Sequence, residues 1–399
     1  MIKKILQEDN VDIHFQPIIT IKDKKIFAYE ALTRAYDSDK NQISPITLFS
    51  QAKKEGFSLE LDNYVREKAV KKFQDIYKKN SYSLLFLNIE SSFIDEKLED
   101  NLLEITKKYN IPTKNIVIEI KEDAIRDSNY LEHFVKIYKE HGFILAIDDF
   151  GTGYSSFDRL SIIKPDIVKV DRSLIYDIQN NYINLQILSA ISTMCHNIGA
   201  LVLAEGVEQK DEILSCMKKD IDIFQGFWFS KPQNDISKND EQNINKKIQE
   251  IGNEFKLKVQ KSHKRRKNIL KKIKTLIKDR FENIILDMKN LDNELGLLLL
   301  HYEGIEAIYM LDYKSGLQKG KTHIDTPKRS FYQPTKDGHD HSLKEYFYIT
   351  KESNEGEHLG KRYISKASGN SCVTYSVKIN IEKKDFIICF DLVGKYISY

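Results

Sequence analysis

The sequence predicts an α/β architecture: a TIM-like (β/α)8 barrel over residues 1–237, a long helical linker over 238–295 and a small α+β domain over 296–399. Three observations lead there. The first is a set of short apolar runs, Ile26–Tyr29, Leu84–Leu87, Ile116–Ile118, Ile144–Ile147, Ile167–Val168 and Leu201–Ala204, each reading as a buried parallel strand. The second is a set of polar residues at or just beyond the ends of those runs: Glu30, Asn88, Glu119, Asp148 with Asp149, Lys169 and Glu205. A polar residue there is badly placed for a core, and a barrel that delivers carboxylates, an amide and an ammonium to one rim is building a metal site on its catalytic face. The third is an abrupt change of pattern after Pro232.

Ile13–Phe15 and Ile221–Phe224 bring the candidate strands to eight, and the segments between them read as helices, among them Asp62–Tyr77, Asp95–Tyr109, Tyr130–Glu140 and Tyr182–Asn197. Strand–helix repetition of this count is the signature of a barrel. A doubly wound sheet is the alternative, but it gathers ligands at one switch point rather than from nearly every strand. Gln233–Gln242 is polar and loop-like. Beyond it Ile244, Ile248, Ile251 and Phe255, then Ile269, Ile273, Leu276, Phe281, Ile284, Met288, Leu291 and Leu295, recur in steps of three and four, broken only where Arg280 precedes Phe281, which means a long amphipathic helix or helical hairpin. Lys261–Lys267 is the strong charge run, read as the solvated face or turn of that linker rather than a nucleic-acid patch. From Gly296 the runs Ile305–Leu311, Tyr346–Ile349, Tyr363–Ser365, Val373–Ile381 and Phe386–Leu392 have the period-two character of strands. His339-Asp340-His341 in the same region reads as a loop rather than a metal site.

Composition narrows the function. A chain of 399 residues with 41% hydrophobic content, 11% aromatics and a net charge of +3 holds packed cores and carries no basic excess calling for nucleic acid. Cys195, Cys216, Cys372 and Cys389 are far apart and read as buried thiols in a reducing cytoplasm. The first residues turn acidic within ten positions and do not read as a signal peptide. No apolar stretch reaches membrane-spanning length.

Eight segments carry a family resemblance. They are FQPI (Phe15–Ile18), YEALTR (Tyr29–Arg34), LNIE (Leu87–Glu90), EIKE (Glu119–Glu122), IDDFGTGYSS (Ile147–Ser156), KPDIVKVD (Lys164–Asp171), AEGVE (Ala204–Glu208) and QGFWFSKP (Gln225–Pro232). In this order and at these spacings the chain resembles an EAL-domain cyclic di-GMP phosphodiesterase. Glu90 stands where the family usually has Ser, and Lys121 where it commonly has Thr; neither change removes a metal-binding or catalytic side chain. The resemblance also implies a barrel in which one strand runs against the others. Residues 296–399 are more weakly similar to the PAS-like domain that follows the barrel in YkuI-type EAL proteins, through KEYFYITK, KRYISKASGNSCVTYSVKI and DFIICFDL.

The resemblance implies a cyclic dinucleotide substrate and a two-metal site. Glu30, Asn88, Glu119 and Asp148 offer oxygens suited to Mg2+ or Mn2+, and by the family pattern Asp148 bridges to a second metal that Asp149 also holds. Lys169, inside an otherwise apolar IVKV, needs an anion or water to offset its desolvation and is assigned to the attacking water and the scissile phosphate. Glu205 is read as general base or as an ordering group at the second metal. Gln16, Arg34 and Gln225 are assigned to substrate, Arg34 by bidentate hold on a phosphate. Glu122 is read as the anchor of the Asp149–Ser156 loop, and Asp171 and Glu208 as supporting residues. Phe227, Trp228 and Phe229 offer either a guanine-stacking face or core.

The expected activity is metal-dependent hydrolysis of cyclic di-GMP to linear pGpG, regulated by the C-terminal domain through a small-molecule or protein ligand. The alternative is a non-hydrolytic cyclic di-GMP receptor or signalling scaffold, which loss of a metal ligand or of the base would favour; none is lost. A cytoplasmic homodimer is expected from the resemblance.

Overall fold

The computed structural model of the chain describes residues 1–89, 101–121, 128–151, 157–281, 291–301, 304–324 and 333–393. Glu90, Glu122 and positions 152–156 of the Asp149–Ser156 loop lie outside the described residues. The chain divides into two compact units, Met1–Lys256 and Leu257–Tyr399.

The first unit is a closed barrel of eight strands: β1 (Val11–Thr20), β2 (Lys25–Tyr36), β4 (Leu84–Asn88), β5 (Ile116–Lys121), β6 (Ile144–Phe150), β7 (Ile167–Val170), β8 (Leu201–Ala204) and β9 (Ile223–Phe224), with β3 (Gln42–Ile43) a short edge on β2. Neighbours pair in parallel except β1, which runs antiparallel to both β2 and β9 and closes the ring through Ile19 opposite Phe224. The reversal follows from the β1–β2 connection. Only the four residues 21–24 separate the strands, enough for a hairpin with Lys24 at φ 57° and too few for a parallel crossover.

Each strand faces two ways. Ile18, Ala28, Phe86, Val117, Ala146, Ile167, Leu203 and Ile223, one from every barrel strand, form a buried cluster of their own inside the ring. Their neighbours on the opposite face, such as Leu85, Leu87, Ile116, Ile118, Leu145, Ile147 and Val202, belong to the larger core beneath the helices. The helix Ser58–Lys79 presents Leu61, Val65, Ala69, Val70 and Phe73 to that core, a spacing of three and four.

The helix Lys238–Phe281 supplies Ile244, Ile248 and Ile251 to the core of the first unit and Ile269, Leu270 and Ile273 to that of the second. In the Lys261–Lys267 run, Lys261, His263, Lys264, Arg265 and Lys267 are exposed. No helix among the described residues is long and apolar enough to cross a membrane. All four cysteines are buried and free.

The second unit carries a five-stranded antiparallel sheet in the order β11 (Gln318–Ile324), β10 (Ile305–Asp312), β14 (Lys384–Val393), β13 (Ser371–Ile381), β12 (Glu357–Ile364). Period two sorts its core: Ile308, Met310, Ile388 and Phe390 pack with Leu295 and Leu298, while Tyr309, Leu311, Ile387 and Cys389 pack with Phe347. One expected strand is corrected. Tyr346–Ile349 lies in the helix Glu345–Glu352, which buries Phe347 and Thr350, three residues apart, and closes a bond from Thr350 Oγ1 to the Tyr346 carbonyl. Burial of an i, i+3 pair outweighs the strand preference of Tyr, Phe and Ile. The polar strand β11 was not foreseen, since QKGKTHI has no apolar alternation.

His341 turns inward. Its Nδ1 lies 2.7 Å from the Tyr346 hydroxyl and its Nε2 3.1 Å from Gln318 Oε1. Burial, then the charges of His339, Lys344 and Lys366 against the opposing Asp340, hold its pKa down at about 4. Between the ordinary imidazole value of about 6.5 and that lowered value, the unfolded chain takes up a proton that the folded chain refuses. Stability from the neutral ring is therefore lost as pH falls through this window. Urea unfolding of the full chain is expected to weaken from pH 7 to pH 4 by about 2 kcal/mol more than in His341→Asn; parallel pH profiles would remove His341 as the cause.

Candidate active site

The barrel's inner cluster dictates where the polar residues go. Side chains two apart on a strand share a face, so the residue two positions on from each inner apolar residue forms the next layer. Ala28 leads to Glu30, Phe86 to Asn88, Val117 to Glu119, Ala146 to Asp148, Ile167 to Lys169, Leu203 to Glu205 and Ile223 to Gln225. Because β1 runs the other way, its member lies two residues before Ile18: Gln16, opposite Glu30 in the ladder. Every strand, or for β8 and β9 the residue directly after it, therefore contributes one polar side chain to a single ring above the apolar plug. Glu30 is not at a strand end, since β2 continues six residues to Tyr36.

Lys169 is the centre of this ring. It is 1% exposed, and its Nζ lies 2.8 Å from Asp148, 2.7 Å from Glu205 and 3.8 Å from Glu30, with Glu119 closest of all. Asn88 donates to Glu119 at 2.9 Å and to Glu30 at 3.3 Å; Gln225 donates to Gln16 at 3.1 Å and also to Glu30. Burial opposes the charge on Lys169, but Asp148, Glu119, Glu205 and Glu30 together hold its pKa well above the usual range. Burial pushes Glu205 up to about 8 with Lys169 opposing, and raises Glu119 with Glu30 reinforcing. Asp149 is raised by burial and by Asp148, and its backbone sits at φ 56°, a strained conformation of the kind that clusters at functional sites.

The loops beyond β8 and β9 are locked together. Glu212 accepts from the backbone N–H groups of Glu208, Gln209 and Asp177, fixing the segment after Glu205. Gly226 lies against the Val207 peptide, where a Cβ would stand 2.1 Å from the carbonyl oxygen and 2.3 Å from the nitrogen. Gly226→Ala is expected to cost about 3 kcal/mol of stability and to displace Gln225; an unchanged urea midpoint would show that the two loops can part freely.

A cavity of about 720 Å3 opens over the ring, lined among others by Gln16, Glu30, Asn88, Asp148, Asp149, Lys169, Glu205, Glu208 and Gln225. Glu119 lies beneath it, 1% exposed. Arg34 shares the face of Glu30 but lies beyond the cavity lining, its Nη1 donating to the Thr33 carbonyl. Asp171 caps the helix Arg172–Ile175 by accepting from the Ser173 N–H. Of the aromatic trio, Phe227 is half exposed on the cavity wall, while Phe229 is buried and Trp228 packs against the core.

Three wall features escaped the sequence reading. Arg172 lines the cavity, ion-paired with Glu208 and donating to the Gly206 carbonyl at 2.9 Å. Asp62 and Arg66, a buried pair at 2.8 Å, form part of the wall from the helix Ser58–Lys79. Lys121, on β5, stands 4.0 Å from Asp149. Their signal was present for the helix pair, since charged residues four apart fall on an otherwise apolar face.

The donor set fits divalent metal. Four carboxylates face one ammonium, an imbalance that hard cations with oxygen ligands offset. Asp148, Asp149 and Glu205 can each bring an oxygen within 4.8 Å of the others, and Gln225 Oε1 is buried without a hydrogen-bond partner among the described residues.

A closed barrel with carboxylates gathered on one inner rim is a framework suited to holding divalent metal. Residues 1–232 match the EAL domain model, and the chain belongs to the EAL family. The cyclic di-GMP phosphodiesterase NbdA of Pseudomonas aeruginosa is 28% identical over 234 residues, covering 58% of this chain and 30% of NbdA. The Bacillus subtilis YkuI protein with an EAL domain, solved in complex with substrate c-di-GMP and calcium, shares the fold. Its TM-score is 0.78 at 22% identity, over 98% of this chain and 99% of that one. The manganese/cy-diGMP complex of Klebsiella pneumoniae BlrP1 is 26% identical with a TM-score of 0.51, over 56% of each chain. The chain spans only 28% to 30% of the length of the first curated relatives it matches.

Proposed function

We propose that this chain is a divalent-metal-dependent phosphodiesterase that hydrolyses cyclic di-GMP to linear pGpG. One observation carries the reading: an EAL-family barrel presents Glu30, Asn88, Glu119, Asp148, Lys169 and Glu205 on a single inner rim beneath a cavity. The activity of relatives such as NbdA and the ligands of YkuI and BlrP1 support it.

In this reading Glu30, Asn88, Glu119 and Asp148 would hold one Mg2+ or Mn2+, and Asp148 with Asp149 would hold a second. Bound there, such cations would supply charge neutralisation at a phosphoryl group and ease deprotonation of the attacking water. Glu205 accepts the proton of the attacking water, its raised pKa suiting it to proton transfer near neutral pH. Lys169 orients that water against the scissile phosphate. Gln16 and Gln225 hold substrate from the cavity wall, and Arg34 secures a phosphate as the ligand extends past Leu32. Glu208 and Asp171 set the position of Arg172 and its short helix.

The second unit supports a sensory, PAS-like role through its strand order, second-first-fifth-fourth-third, and in this reading it tunes the rate of a cytoplasmic homodimer. Sedimentation of the purified chain tests the dimer.

The deciding experiment is incubation of the full chain with cyclic di-GMP and Mg2+ or Mn2+, with and without chelator, following pGpG by chromatography. Metal-dependent product is expected. Tight binding without product under either metal would make the barrel a receptor. Glu30→Ala is expected to raise the metal concentration for half-maximal turnover by about tenfold or more; an unchanged metal dependence removes Glu30 from the ligand set.

A further inference from the structure

The second unit contains a cavity of about 600 Å3 that the hydrolase reading does not use. On its lining lies Asp391, in β14 and only 2% exposed. Both carboxylate oxygens are acceptors: Ser365 Oγ donates to one at 2.8 Å and Thr374 Oγ1 to the other at 3.0 Å, with the Tyr363 hydroxyl 2.9 Å from Thr374. All of these donors are neutral. The largest influences on Asp391 are burial, which raises its pKa, the hydroxyls of Tyr363, Ser365 and Thr374, which lower it, and Glu306, which adds negative field.

Burial disfavours the charge on Asp391 and raises its pKa, opposed only by hydroxyl donors, so a cation brought against it takes the place of a proton and holds the carboxylate ionised. The walls agree. Tyr309, Tyr346 and Tyr363 line the space, and aromatic faces attract an ammonium group. His341, stacked on Tyr309 at 5.3 Å, is held neutral and offers no competing charge. The mouth has the opposite sign. Lys344, Lys361, Arg362 and Lys366 are exposed on the cavity lining and outnumber Asp340 and Glu345 there; Lys344 and Lys366 are near enough for their charge to act on His341. With Asp391 ionised by a bound cation, the space is negative at its buried end and basic at its opening, which matches a small molecule with an ammonium at one end and an anion at the other.

We propose that this cavity binds a free amino acid, its ammonium group on Asp391 and its carboxylate toward Lys344 and Lys366. The proposal concerns binding alone and stands apart from the chemistry of the barrel.

Isothermal titration calorimetry of the full chain against each of the twenty common amino acids tests it. Each positive is compared with its matched amine lacking the carboxylate and its matched acid lacking the amine. At least one amino acid is expected to bind saturably with Kd below about 1 mM, and each half-molecule at least about tenfold more weakly. Asp391→Asn, which keeps the side-chain shape, is expected to weaken binding about thirtyfold or more. The double variant Lys344→Gln/Lys366→Gln changes only exposed side chains, so it reports on the ligand even if the buried substitution disturbs folding; about a fivefold loss is expected. No binding by any amino acid, equal binding by the bare amine, or affinity unchanged in the lysine variant would each overturn the proposal.

Discussion

Glu205→Gln is expected to lower turnover of cyclic di-GMP by roughly 10²–10⁴ while leaving its binding within a few-fold of the parent. The expectation rests on position. Glu205 directly follows β8, is partly exposed at the cavity, and touches Lys169 at 2.7 Å. Its carboxyl lies among Asp148 and Glu30, whose charges reinforce the effect of burial in raising its proton affinity. A glutamine keeps the shape and hydrogen-bonding reach but cannot take a proton from water. Single-turnover rates and equilibrium dialysis against the nucleotide separate the two effects. If rate and affinity fall together, Glu205 holds the substrate complex together and the base is another group.

The ring of polar residues was legible because burial writes it into the strands. In each barrel strand except β1 an apolar residue that plugs the barrel is followed two positions later by a polar residue of the ring, as Val117 by Glu119 and Ile167 by Lys169. Period two is a local property, so a single sequence displays it. The antiparallel direction of β1 was carried by family resemblance, although the four-residue connection to β2 already forbids a parallel crossover. Glu30 read as a strand end because the apolar run stops at Tyr29, yet β2 continues, its alternating side chains divided between cavity and core. Arg172 was hidden for another reason: its place depends on Glu208 and Gly206 from the next strand's loop, a pairing that no local pattern records. Tyr346–Ile349 misled in the opposite sense. Its residue types favour a strand, and only tertiary burial of Phe347 and Thr350 makes it a helix.

Lys169→Met is expected to affect folding as well as catalysis. The ammonium is the only cation within 4 Å of Glu30, Glu119, Asp148 and Glu205 among the described residues, and it is 1% exposed. Methionine fills the same space without charge, so packing between Ile167 and the cavity is kept while four carboxylates lose their counter-charge. Removing one partner of a buried ion cluster typically costs about 3–5 kcal/mol, and here the acids left behind repel one another across the barrel mouth. The same argument gives the direction of rescue. A divalent cation that binds the folded acids but not the unfolded chain stabilises by mass action, and it offsets more repulsion in the variant than in the parent. Urea unfolding without divalent metal is therefore expected to show a large loss for Lys169→Met, and millimolar Mn2+ is expected to restore more stability to the variant than it adds to the parent. Turnover is not expected to return with the fold, because methionine cannot orient water against a phosphate. A variant as stable as the parent in chelator would mean that the carboxylates stay protonated in the folded chain, and that Lys169 serves the substrate alone.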